Sequence, residues 1–234
     1  PDIVYVAAMG HLFSSNEERG VFKTTDGGAT WQKILYINEK IGAVDLVMNL
    51  SAPEVLYAAM YDKVRLPWHY EAGGPESAIY KTTDGGKNWT RLGGGLPTGR
   101  LGRIGIDIFQ KNPDTLYAIV ENANMRPPTK EETEQDKKRG LEPRERKIGG
   151  EVYRTDDGGA TWKRQPFYLS ARGLDVAFPD ARTGWLITDG GAVLRTTDGG
   201  AGWDVAEVFD LQLKAVAAVD ASTAWVVASG GFGG

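Results

Sequence analysis

One short motif occurs four times in this chain and constrains its fold more than any other feature. The motif reads Thr-x-Asp-Gly-Gly-x-x-Trp, and a basic residue precedes each copy. Its defining residues are Thr24, Asp26, Gly28 and Trp31 in the first copy, Thr82, Asp84, Gly86 and Trp89 in the second, Thr155, Asp157, Gly159 and Trp162 in the third, and Thr196, Asp198, Gly200 and Trp203 in the fourth. Such recurrence indicates a repeat protein, in which each copy belongs to one supersecondary unit.

Turn chemistry explains the residue types of this motif. The Asp carboxylate can accept backbone N–H groups, and Gly adopts positive φ without steric cost. β-prone pairs such as Val21-Phe22 and Ile79-Tyr80 come before it. The Trp begins the outgoing strand and can bury its ring between neighbouring sheets. The motif therefore predicts a hairpin turn, and we interpret its residues as structural rather than catalytic.

A second repeated element is an apolar strand with an aromatic residue near its start. The aromatic positions are Tyr5, Tyr57, Tyr117, Trp185 and Trp225. The interval from Asp157 to Asp198 is close to the roughly 40–45 residues of a four-stranded propeller blade. We predict an all-β fold, a β-propeller of four-stranded antiparallel blades, with about five blades or blade fragments. The predicted single domain covers 1–234, with units at approximately 1–37, 38–95, 96–168, 169–210 and 211–234.

Two insertions lengthen the second and third units, at 61–77 and 122–149. The first contains Trp68, His69 and Tyr70, which could stack on a sugar ring or form a partner hot spot. The alternative is a loop that folds its own aromatic residues over the blade edge. In the second insertion, Thr129 and Glu132 have capping-box spacing. This pattern predicts one surface helix over about 130–139, with mobile flanks.

Composition excludes several classes of function. The net charge of −4 argues against nucleic-acid binding, which needs a basic face. Without Cys, the chain cannot form a Cys-ligated zinc site, and its two His exclude a site of three imidazoles. No apolar run approaches the about 18 residues of a membrane span, and the chain contains no signal peptide. We expect neither a metal nor a cofactor.

The four motifs resemble the Asp-box, or bacterial neuraminidase repeat (BNR). This repeat is found in sialidases, xyloglucanase-type glycoside hydrolases, sortilin-type propellers and photosystem II stability/assembly factors. Residues 1–121, with Gly10-His11-Leu12-Phe13 and Gly42-Ala43-Val44-Asp45, are most similar to bacterial exported proteins labelled sortilin-like or BNR-repeat glycosyl hydrolase-like. Residues 171–230, with Thr183-Gly184-Trp185, resemble the assembly-factor type. The resemblance implies a propeller with Asp boxes at the blade periphery, away from the ligand face.

The resemblance also implies a function. We predict a non-catalytic binding or assembly module of an exported bacterial protein (periplasmic, cell-surface or extracellular) that recognises a protein or a glycan. The alternative is a glycoside hydrolase of xyloglucanase or sialidase type, or a fragment of one. The chain lacks the Arg-Ile-Pro signature and the Tyr-Glu pair of sialidases, and it lacks the Cys-rich module that follows sortilin propellers.

The candidate catalytic residues are Asp45, Asp107 and Asp175, which lie on predicted innermost strands. Glycoside hydrolysis commonly needs two carboxylates about 5–10 Å apart. Alignment of Trp185 with Tyr117 places Asp175 at the Asp107 position, and Asp45 two residues earlier on the same face. The three carboxylates could therefore surround one channel. The alternative is that they only solvate a wet channel.

The order of predicted strands yields the first testable expectation. The chain begins in a second strand and ends after another, so we expect unpaired blade edges, which favour self-association. Light scattering across a wide concentration range should therefore show oligomers, whereas a single sharp monomer peak would contradict this expectation.

Overall fold

The computed structural model describes residues 1–169 and 171–229, and it contains five antiparallel sheets. The first sheet has the order β1 (Val4–Met9), β2 (Arg19–Thr24) and β3 (Gln32–Leu35). The second has the order β4 (Ile41–Met48), β5 (Leu56–Leu66), β7 (Ala78–Thr82) and β8 (Thr90–Arg91), and β6 (His69–Ala72) pairs with the end of β5. The glycine-rich segment 230–234, which belongs to the predicted unit 211–234, lies outside the described residues.

The remaining sheets follow in chain order. The third contains β9 (Leu101–Ile108), β10 (Leu116–Arg126), β11 (Arg146–Thr155) and β12 (Lys163–Leu169), with helix α1 (Lys130–Lys138) between β10 and β11. The fourth contains β13 (Gly173–Ala177), β14 (Gly184–Thr188), β15 (Ala192–Thr196) and β16 (Asp204–Val208). In the described residues the fifth contains β17 (Gln212–Ala218) and β18 (Ala224–Ser229). This succession of antiparallel sheets is the predicted propeller architecture; the unit boundaries stay a prediction.

The hydrophobic core is divided into layers between consecutive sheets. One cluster joins sheets one and two, and the next three join two to three, three to four, and four to five. The second strand of a blade is therefore covered on both faces. For this reason the start of β5 is a continuous buried run, Leu56 to Tyr61, rather than an alternating one.

Each repeated motif forms the same hydrogen-bonded turn. In the third copy, the Asp157 carboxylate accepts bonds from the Thr155 hydroxyl (2.7 Å) and from the Thr161 main-chain N–H (2.8 Å). The Thr155 hydroxyl oxygen in turn accepts the Gly159 N–H (3.1 Å). Gly158 and Gly159 have φ of 65° and 89°, which only Gly adopts at low cost. Equivalent bonds occur at Asp26, Asp84 and Asp198.

The motif Trp packs against the preceding sheet. Trp162 joins the cluster that contains Tyr57, and its exposed fraction is 4%. Trp203 joins the cluster that contains Tyr117. Trp31 belongs to the first sheet, which has no preceding sheet in the described chain, and it is 45% exposed. The expectation that each motif ring lies between sheets therefore fails for Trp31.

The basic residue before each motif reaches the next sheet. Lys81 Nζ and the Tyr57 hydroxyl both donate to the Gly158 carbonyl, at 2.7 and 3.0 Å. Lys81 also lies 5.3 Å from the centroid of the Tyr57 ring, in cation–π contact. The pair Lys23 and Tyr5 repeats this arrangement toward the Gly85 carbonyl. In both cases, a lysine and a tyrosine of one sheet donate hydrogen bonds to the carbonyl of a motif glycine in the next sheet.

The insertions are more ordered than expected. Residues 61–72 extend β5 and form a hairpin with β6, in which Arg65 pairs with Tyr70. The predicted helix occurs as α1, with the Thr129–Glu132 capping box formed. The predicted mobile flanks are in part paired strands, because β10 and β11 continue to the pair Arg126–Arg146, and only 127–129 and 139–145 separate these strands from the helix. Within the described residues, no helix has the length and apolar character needed to cross a membrane.

The contrast between two motif tryptophans is testable. Trp162→Ala removes a buried ring and should lower the free energy of unfolding by about 3–5 kcal/mol. Trp31→Ala, the matched control in the same motif, should cost far less because nearly half of the ring is exposed. Urea denaturation followed by circular dichroism measures both values. Equal losses would contradict the packing of each motif on the preceding sheet.

Candidate functional site

Two cavities of opposite charge lie along the inner strands β9, β13 and β17. Strand β4 also lines the first, and strands β5 and β6 line the second. We call the first the acidic cavity: it has a volume of about 550 Å³ and is lined by Asp45, Asp107 and Asp175. The second, the cationic pocket, has a volume of about 330 Å³ and is lined by side chains from four sheets. The motif turns lie at one end of each blade, since Thr82 pairs with Leu56 at the start of β5. The hairpin lies at the other end of β5.

The structure brings the three candidate aspartates together, and each one forms a hydrogen bond to the following sheet. Asp45 accepts the main-chain N–H of Leu46 in its own strand (2.8 Å) and that of Ile106 in the next sheet (2.9 Å). Asp107 accepts N–H groups from Ile108 and, in the next sheet, Phe178. Both oxygens of each carboxylate are therefore engaged by the main chain.

Asp175 continues the series toward the fifth sheet. Its carboxylate accepts the N–H of Val176 (3.0 Å) and, across the interface, that of Val216 (2.9 Å). Three successive interfaces thus share one arrangement, in which an inner-strand carboxylate accepts an N–H from the following inner strand or, for Asp107, from Phe178 directly after that strand. A charge-assisted bond of this kind is stronger than a neutral one.

The predicted alignment of Asp175 with Asp107 is wrong. Asp107 pairs with Tyr117, whereas Asp175 pairs with Ile187 and Ala177 pairs with Trp185. Asp45 pairs with Ala59. Ala59 in β5 is equivalent to Ile187 in β14, because each lies two residues after the repeated aromatic position of its strand. Asp175 is therefore equivalent to Asp45, and Asp107 lies two residues later. The physical cause is a connection shorter by two residues: seven residues separate the paired Ala177 and Trp185, whereas nine separate the paired Asp107 and Tyr117.

Burial changes the acidity of these carboxyls. It raises the pKa of Asp45 to about 6 and that of Asp107 to about 7. Burial also raises the pKa of Asp175. The main-chain hydrogen bonds oppose each shift, and nearby carboxylates add to it for Asp45 and Asp107. These groups are more readily neutralised than ordinary aspartates.

The aromatic candidates lie on the hairpin at the opposite end of the blades. Trp68 is in the turn between β5 and β6, and 82% of it is exposed. Tyr70 is 51% exposed, and His69 begins β6. A cavity of about 680 Å³ lies along the hairpin between Phe13 and Tyr70. These rings do not fold over the blade edge; they face solvent.

A buried arginine, which the sequence analysis missed, holds the base of the hairpin. Arg19 is 2% exposed and donates to the carbonyls of Ser14 (3.1 Å), Lys40 and Lys63 (2.6 Å). It therefore ties the loop before β2 and the entry to β4 to the extended part of β5. An arginine within an ordinary strand sequence carries no signal of this role, because its three acceptors are main-chain groups from separate segments.

The cationic pocket contains the other residues that sequence reasoning missed. Its charged lining residues are Lys63, Arg103, Arg172, Asp189 and Lys214, and Tyr61 and Tyr70 line it as well. Arg103 donates to the Leu174 carbonyl (3.1 Å), and Arg172 pairs with Asp189 (3.4 Å) and Glu121 (3.9 Å). These residues belong to segments of four sheets that are far apart in the sequence, so no local sequence pattern predicts that they share a pocket.

Comparison with solved structures identifies the fold class. The chain is similar to an ancestral GH74 enzyme, with a TM-score of 0.58 and 17% identity over 97% of this chain and 26% of that one. It is also similar to the GH74 xyloglucanase from Xanthomonas campestris, with a TM-score of 0.51 and 14% identity over 84% of this chain and 26% of that one. A structure of YCF48 bound to D1 peptide gives a TM-score of 0.35, with 14% identity over 97% and 94% of the two chains.

The class that these findings define is the β-propeller. Sequence identity is too low for the GH74 structures to show more than the fold, and the YCF48 superposition is too loose to carry an argument. The chain spans about a quarter of the length of the two GH74 enzymes described. No protein-family model matches the sequence. A search of curated proteins likewise gave no match.

The aspartates and the motif carboxylates predict opposite pH effects on stability. A carboxyl whose pKa is higher in the folded state stabilises that state, and the stabilisation is complete below the pKa of 3.8 that the group has in the unfolded chain. The stabilisation is lost as pH rises through the folded-state pKa, which is about 6 for Asp45 and about 7 for Asp107. Hydrogen bonds from Asn88 and Thr161 lower the pKa of Asp84 and Asp157 to about 2, so their contribution is present above 3.8 and lost as pH falls through about 2.

We therefore expect the free energy of unfolding to decrease as pH rises from about 4 to about 7 and to level off above that. Asp107→Asn should flatten this decrease, and the double variant with Asp45→Asn should flatten it further, because neither amide titrates. Chemical denaturation at closely spaced pH values measures the slope. An unchanged slope in the double variant would contradict the assignment of the pH effect to these carboxyls.

Proposed function

We propose that the chain is a non-catalytic β-propeller module that binds a protein or a glycan at the end of the blades that carries the hairpin. The observation that carries this proposal is the position of the hairpin. Exposed Trp68 and Tyr70 stand beside a pocket to which four sheets contribute polar side chains. Exposed aromatic side chains next to convergent polar groups are typical of recognition surfaces.

We further propose that the four motifs are Asp boxes with a structural role. Their bonds close the turns, and their glycine carbonyls accept bonds from the preceding sheet, as Gly85 and Gly158 show. They lie at the end of the blades opposite the hairpin. The resemblance of the motifs to those of exported proteins supports an exported location for the module.

The alternative function is glycoside hydrolysis. In its favour, Asp45 and Asp107 line one cavity, and a carboxyl with a pKa near 7 suits a general acid. Against it, each carboxylate uses both oxygens to bind the main chain, including an N–H of the next sheet. A nucleophile or base in this position would have to give up a contact that joins two blades. This geometry favours a structural role.

Binding by the hairpin is tested with glycan and peptide arrays, followed by titration of the strongest ligand. Trp68→Ala should raise the dissociation constant at least about tenfold, as for a hot-spot aromatic residue. Trp225→Ala is the matched control: it removes another exposed Trp, from β18, and should leave affinity unchanged. Failure to bind anything on either array, or equal effects of the two variants, would contradict the proposal.

Catalysis is tested in parallel with a panel of polysaccharide substrates. We expect no hydrolysis by the parent chain. A hydrolytic activity that Asp107→Asn and Asp175→Asn abolish, in variants that still fold, would replace the binding module with the glycoside hydrolase.

A further inference from the structure

The cationic pocket concentrates positive charge on an acidic protein. Among the described residues that line it, four are cations and one, Asp189, is a carboxylate, although the whole chain has a net charge of −4. Arg103 and Arg172 are committed to the fold through the Leu174 carbonyl and through Asp189 and Glu121. Their guanidinium groups still contribute positive charge to the pocket wall. An anionic group is therefore the ligand chemistry that the electrostatics favour.

Two lysines of the pocket, Lys63 and Lys214, have ammonium groups that form no ion pair within residues 1–169 and 171–229. In the same residues, Lys214 Nζ donates only to Gln212, at 3.2 Å. The backbone of Lys63 is nevertheless fixed, since Arg19 binds its carbonyl at 2.6 Å. A fixed backbone with an unpaired ammonium group is preorganised for an external anion.

The pocket is continuous with the aromatic hairpin. Opposed residues of an antiparallel ladder share a face, so Lys63, Arg65 and Tyr70 lie on one face of the hairpin. Lys63 Nζ lies 5.9 Å from the centroid of the Tyr70 ring. Tyr70 lines both the cationic pocket and the cavity beside Trp68. A chain-like ligand in the pocket would therefore extend directly onto the exposed rings.

Hydrogen-bonding groups in the pocket favour a sugar chain over an acidic peptide. Asp189, Gln212, Tyr61 and Tyr70 line it and carry oxygen atoms that can accept hydrogen bonds. Sugar hydroxyls can donate to Asp189, whereas ionised Asp and Glu side chains of a peptide have no proton to donate to it. The flat, apolar face of a sugar ring also matches the exposed rings of Trp68 and Tyr70.

From these observations we infer that the module binds a carboxylate-bearing sugar chain, a uronic-acid polymer. One uronate carboxylate lies between Lys63 and Lys214, and a neighbouring ring stacks on Tyr70 and Trp68. The inference rests on the proposed binding function and specifies the ligand class of that same site.

Calorimetric titration with hexasaccharides of galacturonate, mannuronate and guluronate tests the inference. Methyl esters of the same hexasaccharides are the matched neutral probes, because they keep the rings and remove the charge. We expect at least one uronate to bind at least about tenfold more tightly than its ester. The difference should shrink as salt rises from about 50 to 500 mM, because ions screen the contact.

Variants locate the contact within the chain. Lys63→Gln and Lys214→Gln should each raise the dissociation constant of the uronate about fivefold, the upper range for a partly exposed charge pair. Lys111→Gln is the matched control: it makes the same charge change at the acidic cavity and should leave affinity unchanged. Circular dichroism verifies that all three variants are folded.

The possible failures separate the two proposals. Equal affinity for acids and esters, or equal effects of the three lysine variants, overturns the uronate inference and leaves the binding module standing. Tighter binding of hexaglutamate than of every uronate, with sensitivity to Trp68→Ala, replaces the sugar with an acidic peptide. Absence of binding to uronates, esters and hexaglutamate overturns the uronate inference, and the arrays then decide the proposed function separately.

Discussion

The structure depends on side chains of one sheet binding main-chain groups of the next. Near the inner strands, Asp45, Asp107 and Asp175 each accept an N–H from the following sheet. At the motif turns, Lys23 and Lys81 donate to a glycine carbonyl of the following sheet. Apolar clusters fill the space between these two sets of bonds. Together, these hydrogen bonds and apolar clusters fix the rotation of each blade relative to the next. Apolar packing alone would define this rotation less closely, because it is not directional.

The position of these inter-sheet hydrogen bonds explains why the two ends of the blades differ. The end with the motif turns, and the acidic cavity, are occupied by bonds that hold blades together. The opposite end carries the insertions, which those bonds do not constrain. Arg19 anchors one insertion by three carbonyls and leaves its aromatic tip in solvent. A rigid scaffold with long, anchored loops at one end is a common basis for recognition.

Some of the fold and site was readable in the sequence because the relevant patterns are local. The motif residues lie within eight positions, so their turn is predictable from the chemistry of Asp and Gly. The capping box before α1 is equally local. The equivalence of Asp175 and Asp45 was not predictable, because the connection between β13 and β14 is shorter and no local residue pattern marks where the two strands begin to pair. The exposure of Trp31 followed from its place in the first sheet rather than from its motif.

The sequence by itself determined the repeating unit, the antiparallel strands and the turns that join them, since these depend on residues close together in the chain. Only the tertiary structure decided what the conspicuous residues do. Three aspartates that suggested a catalytic centre join successive sheets, and the lysines before the first two motifs, Lys23 and Lys81, bind a glycine carbonyl of the following sheet. The cationic pocket has no sequence signature, because Lys63, Arg103, Arg172 and Lys214 come from four sheets. Their proximity arises from the packing of blades around a common centre, which no local pattern encodes.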